Sequence, residues 1–218
     1  MTEANPFREQ KRWSELRAEL AGRVPQRWSE RVAYIISLVG SPPVLGLVVV
    51  LLLTSLTATL RAWFWGALYA SLAILIPLLY VVRLARRGIV SGIDLPRLEE
   101  RTRPMLFAIL CSGLAWLMLV LAGEPTHMLI LAGTMWLQMA LMFVITLRWK
   151  ISMHSAVAAG VATVVSCMAG TVAPLLIGVP LIAWSRILLR RHTPAQTVAG
   201  AILGLTLFTG ALLLMQRG

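Results

Sequence analysis

Three short polar clusters interrupt an otherwise strongly apolar chain, and their residue types are those that handle phosphate. The first runs Asp94-Leu95-Pro96-Arg97-Leu98-Glu99-Glu100-Arg101-Thr102-Arg103-Pro104, and the second Lys150-Ile151-Ser152-Met153-His154. The third begins at Ser185-Arg186 and resumes, after five residues, at His192-Thr193-Pro194-Ala195-Gln196. Arginine offers phosphate a planar fork of donors and lysine a compact point charge. Two histidines can divide nucleophilic and acid–base work near neutral pH. No Cys, His or carboxylate spacing resembles a zinc site, so the chemistry reads as metal-free phosphoryl transfer with no cofactor. On composition alone, ordinary flanking charges with two incidental histidines are an equally good reading.

The elements that must position these clusters are membrane helices. The chain is 58% hydrophobic and only 13% charged over 218 residues, with a mean hydropathy of +0.80. A soluble domain carries about 25% charged residues. That excludes a soluble globular domain, a disordered chain and a disulfide scaffold; Cys111 and Cys167 lie inside apolar runs and read as reduced packing residues. The fold class is therefore all-α, a polytopic helical bundle of six to seven transmembrane helices preceded by an interfacial arm.

Residues 1–33 form the arm: Trp13, Leu16 and Leu20 recur at helical spacing, Pro25 breaks the pattern, and Trp28 suits an interface anchor. No cleavable signal peptide is read there. Residues 34–218 form the membrane domain, with spans near 44–60, 62–82, 105–122, 128–147, 154–170, 172–189 and 194–215. The fifth and sixth are the hardest to separate, and their fusion into one broken helix would lower the count to six.

Of the 20 Lys and Arg residues, all but Arg61 and Arg217 fall on one side of this seven-span arrangement. The positive-inside rule makes that side cytoplasmic, which accounts for the net charge of +11 without nucleic acid. Two spans separate each polar cluster from the next, so all three can meet on that face. Ionisable groups at such depth are expensive and usually functional.

The clusters resemble the three-part signature of the type 2 phosphatidic acid phosphatase superfamily, which includes the vanadium haloperoxidases. That signature is a Lys, six residues and Arg-Pro; then Pro-Ser-Gly-His; then Ser-Arg, five residues, His, three residues and Asp. Arg103-Pro104 matches the end of the first part, Ser152 and His154 the second, and Ser185, Arg186 and His192 the third, within a motif region of residues 83–205. The resemblance implies that His192 attacks phosphorus and His154 protonates the leaving oxygen. It also implies that Arg103, Lys150 and Arg186 hold phosphate, with a hydrogen bond from Ser152. Arg97 stands one place after the family's Lys, at which this chain has Pro96. Two departures stand out: Met153 replaces the glycine and Gln196 the aspartate behind the nucleophile. Asp94, Glu99 and Glu100 are spare carboxylates that could stand in for it.

The implied activity is hydrolysis of the phosphate of a membrane lipid, an isoprenyl phosphate or diphosphate or a phosphatidic-acid-like lipid, at the cell membrane. A non-catalytic relative that binds lipid phosphate, a transporter and a phosphotransferase are the competing readings, and the oligomeric state is open. Gly200 and Gly204 read as a helix-packing pair within the monomer, and His127 as a solvated turn residue.

Overall fold

The computed structural model describes residues 27–95 and 97–216. The expected arm helix around Trp13, Leu16 and Leu20 lies outside them. Among the described residues the chain is helical, with no strand. Helix α1 (Trp28–Val39) leads through Gly40 into α2 (Pro42–Thr57), bent from it by 45°. The long α3 (Leu60–Arg86) contains a π-helical turn at Ser71–Leu75 just before Pro77, where a wider turn accommodates a residue that cannot donate to the ladder. Then come α4 (Thr102–Leu121), α5 (Thr126–Thr146), α6 (Met153–Ala169), α7 (Pro174–Leu188, opening with a π turn) and α8 (Pro194–Met215).

Four of these helices, α3, α4 with its leading turn, α5 and α8, are long and apolar enough to cross a membrane, and the bent α1–α2 pair makes a fifth. These long apolar helices mark a membrane protein. Helices stand at all seven positions read from the sequence, but α6 and α7 are short by the same measure. They do not fuse: Gly170 takes a left-handed φ of 63° and ends α6, a conformation glycine adopts without penalty.

The two ends of the bundle differ in charge. At one end, Arg61 pairs with the buried Glu124 at 2.7 Å and ties the start of α3 to the α4–α5 turn. The other end gathers the three polar clusters. Between them α6 forms the centre, with an unbroken buried run from His154 to Val164. Helix α8 lies directly on it, because Gly200 and Gly204 have no side chain to hold the backbones apart. A Cβ on Gly204 would sit 2.0 Å from the Ala156 carbonyl oxygen, and one on Gly200 2.4 Å from that of Ser152. The glycine pair thus packs within the monomer.

Candidate phosphate site

Two helix N-termini meet at the charged end. Ser152 caps α6, its hydroxyl accepting from the Ser155 N–H at 3.3 Å, and Thr193 caps α8 by accepting from the Gln196 N–H at 3.3 Å. The Ser152 N–H donates to the Gln196 carbonyl at 3.2 Å, so the two ends are fixed to each other. Helix N-termini carry partial positive charge.

His192 reaches this junction through the end of α7. Arg190 adopts a left-handed φ of 52°, and the Arg186 carbonyl accepts from the N–H groups of both Arg191 (3.0 Å) and His192 (3.3 Å). That turn is the physical content of the Arg–five residues–His spacing: it folds His192 back beside Arg186. His192 Nδ1 lies 3.1 Å from Gln196 Oε1, which also receives the Thr193 N–H at 3.1 Å. A backbone N–H can only donate, so the shared atom is the amide oxygen and Nδ1 carries the proton. Nε2 of His192 keeps its lone pair.

Arg186 is almost completely buried, with 2% of its surface exposed. It donates to Ser37 Oγ of α1 at 2.6 Å and to His154 Nε2 at 3.5 Å, and approaches Asp94 Oδ2 at 3.6 Å. Its Nε has no partner among the described residues. Because arginine has no acceptor, His154 Nε2 must accept, which leaves this imidazole neutral. Arg191 Nε stands 3.8 Å from the same Asp94 oxygen. Arg101, also buried, donates to the Leu95 carbonyl at 3.0 Å and the Ile151 carbonyl at 3.4 Å.

The electrostatics follow from this crowding of cations. Burial, then Arg186, Arg101 and Lys150, push His192 down to about 3, only partly opposed by Gln196. Burial followed by Arg101, Arg186 and Arg191 lowers Lys150. Burial alone would raise Asp94, but the guanidinium groups of Arg186 and Arg191 hold it below the ordinary carboxylate value.

Not every expected ligand joins the cluster. Arg103 is exposed and makes no hydrogen bond or ion pair among the described residues; the buried arginine of that segment is Arg101. Two residues along a helix turn the side chain by about 200°, so the two cannot face the same site. The buried face of α4 runs through Met105, Ser112 and Leu119, and Arg101 lies four residues before it. Arg97 is exposed as well. Ser185 is buried, but its hydroxyl donates to the Ile182 carbonyl of its own helix, and the Ser152 hydroxyl is engaged as the α6 cap. Met153 packs into the apolar clusters around Met105, Met142, Val157 and Val161, away from the charges. Ser37, Asp94, Arg101 and Arg191 were not singled out from the sequence as ligands; only Asp94 was weighed, as a stand-in behind His192, and it faces Arg186 and Arg191 instead.

The arrangement separates two arginines that motif matching confuses. Phosphate affinity is expected to fall at least about tenfold in Arg101→Met, the effect of losing a charge-assisted contact, and by less than about twofold in Arg103→Met. Titration of the two variants with inorganic phosphate checks this, and equal losses would contradict the assignment.

Among the described residues no group of three or more His, Cys, Asp or Glu side chains could hold a metal ion. Comparison with known proteins adds no name to this geometry: no family model, no curated protein and no solved structure matches the chain.

Proposed function

We propose that this chain is an integral-membrane phosphatase of the type 2 phosphatidic acid phosphatase kind, acting on a lipid phosphate without a metal. The observation that carries the proposal is the buried cation cluster around His192. Arg101 and Arg186, both buried, and the half-buried Arg191 and Lys150 crowd around Asp94, and Arg186 Nε has no partner among the described residues. Buried cations need counter-charge, and a phosphate group would supply it. The pinned tautomer of His192 leaves Nε2 free to attack phosphorus.

In this reading the Nε2 lone pair forms an N–P bond as the P–O bond to the lipid breaks. His154 delivers a proton to the departing oxygen and so must load that proton as substrate binds. Water then cleaves the phosphohistidine. Gln196 fixes the tautomer as a carboxylate would, but adds no charge to support the imidazolium that forms as the reaction proceeds. Slow turnover is the corresponding expectation here.

Lipid rather than soluble substrate is supported by the site's place at the ends of long apolar helices. Isoprenyl phosphates, isoprenyl diphosphates and phosphatidic-acid-like lipids are the leading classes. In the seven-span arrangement the short α6 and α7 cross within the bundle, and the positive-inside rule places the site on the cytoplasmic face of the cell membrane. A second reading, lipid-phosphate binding without turnover, is favoured by the missing charge at Gln196.

Phosphate release by detergent-purified protein from a panel of these three lipid classes, with EDTA present, tests the proposal. EDTA-resistant release from at least one class is expected. Binding without release from any would select the second reading.

A further inference from the structure

Three contacts of the site's arginines, beside those to Ser37, His154 and Ile151, come from one short stretch of loop. Asp94 takes Arg186 at 3.6 Å and Arg191 at 3.8 Å, and the Leu95 carbonyl takes Arg101 at 3.0 Å. Asp94 is not locked in place: 39% of its side chain is exposed, and the neighbouring Ile93 is 57% exposed. Leu95 itself sits at a left-handed φ of 48°, where the Cβ of a side-chain-bearing residue is crowded against the following carbonyl. A turn from the Leu95 N–H to the Gly92 carbonyl at 3.1 Å holds it there. The loop is thus strained at Leu95 and half-exposed at Asp94 and Ile93; Glu100 holds its start through Ser91, and the cations that the proposed function assigns to substrate hold its Asp94–Leu95 end.

We propose that the Asp94–Leu95 loop is a built-in competitor for the phosphate site, a carboxylate and a carbonyl that pair with Arg186, Arg191 and Arg101 until a phosphate group displaces them. This rests on the phosphate-site reading above. It gives the site a closed resting state in which the loop supplies the counter-charge of Arg186 and Arg191, and entry of a phosphate requires the loop to let go. The loop then sets a threshold, since only an anion that binds three arginines more strongly than one carboxylate and one carbonyl opens it. A phosphate monoester dianion or a diphosphate meets that condition by charge and by its number of acceptor oxygens; a lipid with a single-charged carboxylate headgroup does not.

The test is equilibrium binding of radiolabelled inorganic phosphate to detergent-purified full-length protein. Asp94→Asn, which keeps the shape and removes the charge, is expected to bind about tenfold more tightly than the unaltered chain, about 1.4 kcal/mol. Glu99→Gln, an exposed carboxylate in the adjacent turn, is expected to change affinity less than about twofold and controls for net charge. In a background with Cys111 and Cys167 replaced by alanine, a spin label on Ile93→Cys is expected to gain mobility when phosphate is added. Equal or weaker binding by Asp94→Asn, beside clear binding by the unaltered chain, overturns the inference and leaves the site reading intact. Tighter binding with an unmoved label overturns displacement and reduces Asp94 to a repelling charge. No binding by either protein overturns both.

Discussion

The His192→Ala variant is expected to fold normally and to lose phosphate release by about 10⁴-fold or more, the scale on which removal of a nucleophile acts in well-studied hydrolases. The contrast between folding and activity follows from how the imidazole is held. Its one hydrogen bond goes to Gln196 Oε1, and that oxygen keeps the Thr193 N–H when the ring is gone, so the cap of α8 survives. What disappears is a tautomer-fixed Nε2 lone pair that, unlike the one on His154, is not already engaged by Arg186. A stopped assay on any lipid found to be a substrate, with helicity measured alongside, checks both halves. Retained release would show that His192 is not the nucleophile. The protonation state is directly observable, because the chain has three histidines, His127, His154 and His192, and nitrogen-15 labelling resolves so few. With its value pushed down to about 3, His192 is expected to stay neutral between pH 8 and 5, where an ordinary histidine titrates near 6.5. The sign for stability follows. The unfolded chain takes up this proton near 6.5 and the folded chain only near 3, so stability is full above 6.5 and declines as pH falls towards 3. Titration of His192 near 6.5 in the empty protein would contradict the buried, cation-crowded setting.

Gly204→Leu is the second large effect, and it acts on folding. A Cβ at this position would lie 2.0 Å from the Ala156 carbonyl oxygen and 3.1 Å from the Gly160 nitrogen, both backbone atoms that cannot rotate away. Overpacking among side chains costs about 1–3 kcal/mol; here α6 and α8 must part, which puts the cost at or beyond the top of that range. Parting them also pulls the Ser152 N–H from the Gln196 carbonyl, so the two capped helix ends lose register. The expected result is little or no monodisperse protein after detergent extraction. Gly210→Leu is the control, on the same helix with nothing within 4 Å of the added atom, and is expected to behave like the unaltered chain. Equal behaviour of the two variants would mean that the close approach of α6 and α8 is not what holds the bundle.

Much of this organisation is legible in the sequence, because membrane helices announce themselves by apolar length and break at polar or glycine-containing segments. The helices at the seven expected positions, the turn at Gly123-Glu124-Pro125 and the meeting of the three clusters at one end all follow from runs and parity. The α1 helix was missed because the sequence at 28–39 is short, half polar at its start and next to Pro42-Pro43, so nothing in its hydropathy separates it from the arm. The expected boundary at residue 33 falls inside it. The site was legible to the level of residue type and less so to the level of side chain. Arg103 carries the motif match, but Arg101 is in phase with Met105, Ser112 and Leu119, at intervals of four, seven and seven, and that phase decides which arginine is buried. The spacing was available in the sequence. Asp94 and Arg191 were not recoverable that way, since loop conformation set by left-handed Leu95 and Arg190 determines where they point.

The bond from Arg186 to Ser37 changes what counts as the smallest working piece of this protein. The three polar clusters lie within residues 83–205, yet the arginine at their centre is held from outside that stretch, by a hydroxyl on α1 some 149 residues upstream. The motif region is therefore not a portable module: grafted onto another helical scaffold it would carry its histidines and lose the anchor of its most buried cation. The first helix, which has no chemistry of its own, is part of the inheritance that any descendant of this chain must keep.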